Sequence, residues 1–177
     1  MKQKFKAIYS VNDEQLLELI NLDGSAYNGI DAGEFNKCKE WLSVNNEIYT
    51  VLLLNNKPIA YINFMPITDS CYNKFKKGEI KDYQITKNDV LKFSKLKPNK
   101  CLFTSIVVDK SYQNGIVLLK LMQAFKEGMI NKQIQVSHII MDCVSDIGNK
   151  CANYIKAKLI CKTNDSNIYE LIVNKSR

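Results

Sequence analysis

The residues with most chemical promise lie in one stretch, 103–122, which reads Phe-Thr-Ser-Ile-Val-Val-Asp-Lys-Ser-Tyr-Gln-Asn-Gly-Ile-Val-Leu-Leu-Lys-Leu-Met. The apolar run 101–108 predicts a buried strand. A polar turn over 109–115 carries one glycine, Gly115, and opens directly into an apolar helix predicted over 116–130. The first N–H groups of a helix have no acceptor within the helix, and the positive end of the helix dipole lies there too. A glycine beside them lets an anion come close to the backbone. The chemistry this spacing allows is phosphate binding. On these residues alone, an ordinary strand–turn–helix with a glycine is the other reading.

Other reactive types are scattered. Asp109 suits the turn as a cap, whereas Asp142 interrupts the end of an apolar strand predicted over 138–144. His138, the one histidine, starts that strand and is expected to be exposed or on a sheet edge. Tyr27 and Tyr61 suit either the lining of an acceptor pocket or the core. The six cysteines, Cys38, Cys71, Cys101, Cys143, Cys151 and Cys161, form no C-x-x-C pair, and with a single histidine they predict no metal site. Cys101 and Cys143 sit in apolar runs and are expected to be small buried hydrophobes. All six are expected to be reduced.

These residues need elements to position them. A strand over 4–10 carries Phe5, Ala7 and Tyr9 at period two, and a helix capped by Asn12 or Asp13 presents Leu16, Leu17 and Ile20. A glycine-containing loop over 22–29 precedes a helix over 32–42, with Phe35, Cys38, Trp41 and Leu42 on one face. Strands over 47–54 and 58–65 flank the turn Asn55-Asn56-Lys57. The helix over 116–130 is expected to turn Leu118, Leu119, Met122, Phe125 and Met129 inward. A helix over 147–159 follows the 138–144 strand, with Ala152, Ile155 and Leu159 inward. Strands over 159–162 and 167–173 close the chain around the turn at 164–166. The stretch 66–100 is lysine-rich and weakly periodic. It reads as an insertion between two strands, with one or two short helices, one of them after Thr86, forming a flap outside the sheet. The order predicts an α/β fold, a mixed central sheet of about six to seven strands flanked by helices, in one domain over 1–177. The unit 101–143 predicts a parallel pair joined by a crossover helix.

Apolar residues at 46% and charged residues at 24% describe a globular chain, and no apolar run approaches the length of a membrane span. The N-terminal lysines lead into no apolar signal core, so a cytoplasmic protein without a membrane partner is expected. The net charge is +7, but the basic residues are lysines apart from Arg177. Nucleic-acid readers rely on arginine for bidentate contacts. A nucleic-acid partner is therefore not expected, and the charge suits a solvated lysine surface or an anionic cofactor.

Two segments carry a family resemblance. Ile106-Val107-Val108-Asp109-Lys110-Ser111-Tyr112-Gln113, followed by Leu118-Leu119, resembles the acetyl-CoA-binding motif of the GNAT N-acetyltransferase superfamily. Asn149, Ala152, Lys158 and Leu159 are similar to that family's second signature. The order of strands and helices is similar over essentially the whole chain. The family loop is Arg/Gln-x-x-Gly-x-Gly/Ala. Here Gln113-Asn114-Gly115-Ile116-Val117 is one residue short and keeps one glycine.

The resemblance implies a GNAT-like fold with the insertion between its third and fourth strands. It also implies an acetyl-CoA-dependent N-acyltransferase that transfers an acetyl group to an amine of a small molecule or peptide by direct attack. The cofactor contacts it implies are Ile106, Val107, Val108, Gln113, Asn114, Gly115, Ile116, Val117, Leu118 and Asn149, with no metal. Ile106 and Val108 would act through their backbone, by pairing with the pantetheine amide as an added strand does. The N–H near Val108 would face the oxyanion. No general base is assigned, and Glu47, Asp109 and Asp142 are the carboxylates nearest the expected centre. The slot in which the family often has an acidic tyrosine holds Lys156, and Tyr154 lies two residues earlier. Asp142, Tyr154 and Lys156 are thus the catalytic candidates. The shortened loop and missing tyrosine favour the alternative, a catalytically weak or inactive GNAT-fold module that binds CoA or another ligand.

Overall fold

The computed structural model describes residues 4–26, 33–113 and 115–173. Its strands are β1 (Phe5–Ile8), β2 (Tyr49–Leu54), β3 (Lys57–Pro66), β4 (Asn99–Val108), β5 (Val136–Cys143), β6 (Lys158–Lys162) and β7 (Asn167–Ile172). The helices are α1 (Asp13–Ala26), α2 (Phe35–Val44), α3 (Asp69–Lys76), α4 (Ile116–Asn131) and α5 (Asp146–Tyr154). The strands form one mixed sheet of seven in the order β1-β2-β3-β4-β5-β7-β6. The predicted parallel pair is β4 and β5, in register from Asn99↔Val136 to Phe103↔Met141, with α4 as the crossover. Residue contacts divide the chain into two compact units, Met1–Phe64 with Ser105–Gln133, and Met65–Thr104 with Ile134–Arg177.

In the first unit, β1, β2 and β3 form an antiparallel meander. Asn55 and Asn56 turn the β2–β3 hairpin at φ 51° and 66°. A two-residue hairpin needs this left-handed pair, and asparagine adopts it at little cost. Asn12 caps α1 reciprocally: its Oδ1 accepts from the Gln15 N–H at 2.8 Å, and Gln15 Oε1 accepts from the Asn12 N–H at 3.1 Å. α1 runs through Gly24 to Ala26, past the break expected at 22. One helical glycine costs about 1 kcal/mol, whereas burying Leu22 gains roughly 1.5–3 kcal/mol. The rest of that expected loop, and the expected start of the second helix at 32, lie outside the described residues.

Tyr61 faces Asp23 of α1, while Phe64 meets Phe125 of α4 edge-on at 5.1 Å. Residues an odd number apart on a strand point to opposite faces, so α1 with α2 covers one face and α4 the other. The fully buried residues of α4 are Val117, Leu121, Ala124 and Gly128, about one residue round the helix from the expected set, of which Leu118, Phe125 and Met129 are half-buried. Leu119 is 71% exposed and Met122 37% exposed. Opposite the polar face of Lys120, Gln123 and Glu127, the apolar arc of this helix is wide enough for the 3.6-residue period to fit two registers. Gly128 selects between them: a Cβ there would lie 2.4 Å from the Tyr9 ring, whose hydroxyl donates to the Ala124 carbonyl at 3.0 Å.

In the second unit, Thr68 caps α3 by accepting from the Cys71 N–H at 3.2 Å. Lys74 and Lys76 complement the other end of the helix dipole. The helix expected after Thr86 does not form. Instead the Asp89 carboxylate accepts from both the N–H and the hydroxyl of Thr86, and Val90 bridges to Ile67. Such local side-chain bonds compete with helix formation, and one short apolar group is too little to nucleate a helix. Apart from that bridge and its two ends, Pro66 in β3 and Asn99 and Lys100 in β4, the insertion lies outside the sheet, but it is firmly seated. Cys71, Tyr72, Phe75, Ile85 and Val90 are buried. The Tyr72 hydroxyl donates to Glu170 of β7, and Lys76 Nζ reaches both Glu170 oxygens at 2.8 and 3.0 Å.

Lys81, beside a 3-10 turn at Asp82–Gln84, bonds Asp165 at 2.8 Å and Thr163 at 3.0 Å. His138 is not on an edge, because β5 lies between β4 and β7, and its ring meets Tyr72 at 5.9 Å. The last predicted helix is shorter than expected. α5 stops at Tyr154, and Lys156 adopts φ 60°. The Ala157 N–H donates to the Ala152 carbonyl at 3.0 Å and the Lys156 N–H to the Asn153 carbonyl at 2.9 Å, which is a Schellman ending.

Candidate functional site

The predicted anion loop lies wholly in the first unit. β4 ends at Val108, and Asp109 Oδ1 accepts from the Ser111 N–H at 2.8 Å, the turn-capping task expected of it. Gln113 Nε2 donates back to the Val108 carbonyl at 3.1 Å, closing the loop. Gly115 then begins α4 at φ 82° with no side-chain cap, and a Cβ built on it would meet nothing within 4 Å. A capless helix start facing open space at a glycine is a fitting cradle for a phosphate group. Val117 is buried, so it can contribute only its N–H, while Ile116 is exposed and Leu118 half-buried. Asn114 lies outside the described residues. Lys110 and Lys120 are exposed within and just after the loop.

Backbone alternation orients the strand that feeds this loop. The Asp109 N–H donates to the Ile59 carbonyl of β3 at 2.9 Å. Val107 therefore faces β3 as well, while Ile106 and Val108 turn their N–H and C=O groups to the opposite edge. The ladder of β4 with β5 ends at Phe103, five residues before β4 does. The 106–108 edge thus has the form that an extended amide pairs with.

A polar cluster of which sequence reasoning named Tyr61 alone as a pocket candidate lies on the α1–α2 side of the same unit. Asp23 is 3% exposed, and its carboxylate accepts from the Tyr61 hydroxyl at 2.7 Å and from the Gly33 N–H at 2.9 Å. Ser105 of β4 is hydrogen-bonded to the same Tyr61 hydroxyl. Tyr49 lies 5.9 Å from Tyr61, ring to ring, and bonds Cys38 and Asn63. Burial, and then the charge of Asp23, hold the Tyr61 phenol well above the ordinary tyrosine value. Asp23 sits in a helix with ordinary polar neighbours, so nothing in its spacing marks it. Tyr27 lies outside the described residues.

The other candidates have tasks of their own. Asp142 pairs with Lys81 at 3.4 Å, and Glu47 with Lys132 at 3.2 Å. Burial lowers the Lys81 ammonium, but the Asp165 hydrogen bond and the charge of Asp142 more than offset it and hold it above the usual lysine value. Asn149 Nδ2 donates to the Ser145 carbonyl at 2.9 Å, and its Oδ1 accepts from Asn167 at 2.9 Å, which ties the start of α5 to β7 within the second unit. Tyr154 is 89% exposed, and Lys156 stands beyond the helix end. Cys101 and Cys143 are buried, as expected, and burial pushes the Cys143 thiol up to about 11. Among the described residues, no group of His, Cys, Asp or Glu is placed to hold a metal ion. Likewise, no helix among them is long and apolar enough to cross a membrane.

No family model and no curated protein matches the sequence. Solved structures do match the fold. The loading GNATL domain of CurA from Lyngbya majuscula superposes with a TM-score of 0.68 at 10% identity, covering 96% of this chain and 98% of its own. A GNAT family acetyltransferase from Listeria monocytogenes gives 0.61 at 10% identity, over 96% and 95%. The paiA N-acetyltransferase from Thermoplasma acidophilum, in complex with coenzyme A, gives 0.58 at 12% identity, over 96% and 99%. The chain therefore has the fold of the GNAT acetyltransferases, a mixed α/β fold with an open seven-stranded sheet.

Proposed function

We propose that the protein is an acetyl-CoA-dependent N-acyltransferase acting on an amine of a small molecule or peptide. The observation that carries this reading is the open helix start at Gly115, next to the outward-facing 106–108 edge, in a fold shared with acetyltransferases. The N–H groups at the start of α4 take the pyrophosphate, with Gln113 holding the loop to the Val108 carbonyl. The 106–108 backbone pairs with the pantetheine amide, and the Val108 N–H faces the oxygen that becomes negative as the amine adds. The nitrogen–carbon bond forms, the nitrogen gives up a proton, the carbon–sulfur bond breaks, and the thiolate leaves.

A second reading, a CoA-binding module without turnover, is favoured by one observation: Tyr154 stands in solvent and Lys156 lies outside α5. A free thiol has a pKa near 8.5, so its thiolate leaves tolerably without a donor, which keeps the first reading ahead. Titration with acetyl-CoA tests both. At about a hundredfold over its dissociation constant the ligand adds roughly 2.7 kcal/mol, a melting shift of about 5–10 °C for a domain of this size. Gly115→Glu puts a carboxylate into the open space and abolishes the shift, whereas Gly115→Ala, which carries the same backbone cost of roughly 1–2 kcal/mol at φ 82° without the charge, keeps it. A shift of wild-type size in Gly115→Glu puts the phosphate elsewhere. Thiol release with an amine panel then separates transfer from binding alone.

A further inference from the structure

Three side chains of the first unit stand in one hydrogen-bonded line: Ser105 on β4, Tyr61 on β3 and Asp23 on α1. The line runs from a half-buried hydroxyl to a carboxylate 3% exposed. Ser105 directly precedes Ile106, the first residue of the edge assigned above to the pantetheine amide. Resting on that acetyl-transfer reading, we infer that Ser105, Tyr61 and Asp23 form a proton relay serving the acceptor amine.

The steps balance. As the neutral amine adds to the thioester carbon, its nitrogen becomes cationic and gives a proton to Ser105 Oγ. Ser105 passes its own proton to the Tyr61 hydroxyl oxygen, and Tyr61 passes its own to Asp23 Oδ1. The carboxylate becomes a carboxylic acid, the carbon–sulfur bond breaks, and the thiolate takes its proton from water. The same line returns the proton to solvent once the product has left. Tyr61 stays protonated throughout, giving one proton only as it takes another, which suits a phenol held far above its usual value by burial.

The two hydrogen bonds at residue 23 fall on different oxygens, Tyr61 on Oδ1 and Gly33 on Oδ2, so the site uses both oxygens of a carboxylate, which asparagine with its single side-chain oxygen does not offer. The carboxylate is thereby held against the phenol, where it can take its proton. The titratable groups facing Tyr61 are Asp23 from α1 and Tyr49 from β2, with Cys38 of α2 against Tyr49. Ser105 is the member that touches substrate, and Tyr61 and Asp23 are positioning residues behind it.

The test uses the full chain with acetyl-CoA and two amine probes, glycylglycine and cadaverine, following thiol release from acid to alkaline pH. Ser105→Ala lowers kcat by about 10²–10⁴-fold, leaves KM for acetyl-CoA unchanged, and moves the rising limb of the pH profile toward the amine's own pKa. Ser105→Thr, which keeps a hydroxyl, restores both rate and profile. Asp23→Asn alters a buried contact and puts folding at risk, so Ser105→Ala decides. In the free protein, nuclear magnetic resonance of isotope-labelled tyrosine shows the Tyr61 signal shifting in Ser105→Ala, and a signal that does not move overturns the relay. Acetyl-CoA binding and turnover with a wild-type rate and profile in Ser105→Ala overturn the relay and leave the transfer reading standing. Absence of acetyl-CoA binding or of thiol release overturns the transfer reading and the relay with it.

Discussion

Lys156 holds φ 60° at the position after α5 where helices most often place glycine. A side chain there crowds the following carbonyl and costs roughly 1–2 kcal/mol. Lys156→Gly relieves that strain and loses part of the gain to the greater freedom of glycine in the unfolded chain. A net stabilisation of about 0.5–1 kcal/mol is expected, seen as a melting rise of about 1–4 °C. Thiol release should be unchanged, because a side chain at a helix ending with no positioned partner is not a proton donor. If stability holds and turnover is lost, Lys156 takes part in the chemistry.

The helix α4 starts after the open turn at Gly115 and packs its far end on Tyr9, just after β1. That packing depends on close approach. A Cβ on Gly128 would stand 2.4 Å from Tyr9 Cε1, and the Tyr9 hydroxyl is already committed to the Ala124 carbonyl. Gly128→Ala removes a helical glycine worth about 1 kcal/mol but forces the ring aside. A net loss of about 1–3 kcal/mol in urea unfolding is expected from overpacking, and a gain would mean that the ring moves freely.

The same helix shows what could be read in advance. Its existence and its glycine start were plain in the sequence, because both are local. Which face it buries was not, because its apolar arc is wider than one buried face and the choice falls to Tyr9, more than a hundred residues away. Lys156 follows the same rule, since the helical pattern continues to Leu159 while the chain leaves the helix at Tyr154. The insertion reads as loose from its lysines, yet its few apolar residues are what seat it. The loop from Asp109 to Leu118 was legible as a candidate site because a strand, a turn and a glycine stand in sequence order. The line Ser105–Tyr61–Asp23 was not, since its three members meet only once α1, β3 and β4 have packed.

The whole chain carries a net charge of +7 at neutral pH, and acid raises it as carboxylates take up protons, adding self-repulsion. One buried carboxylate ties this to the fold. Burial would raise Glu170, but the bonds from Lys76 and Tyr72 hold it below the usual glutamate value. A depressed carboxylate contributes stability that is full above its unfolded value, about 4.3, and is lost as pH falls through the lower folded value. Asp69 is also lowered, by Lys100, but its side chain is 78% exposed and adds little. At alkaline pH the sign reverses. Burial pushes the Cys71 thiol up to about 12, while an unfolded thiol ionises near 8.5, so stability falls as pH rises between those values. Urea midpoints should therefore form a plateau around neutrality with losses on both sides. Glu170→Gln should cost on the order of 1.5–3 kcal/mol at neutral pH, the worth of hydrogen bonds to a charged group. That gap should close toward wild type as pH falls through the folded Glu170 value. A gap that stays constant down to acid pH would show that the Glu170 charge contributes nothing and that Tyr72 and Lys76 hold α3 by packing alone.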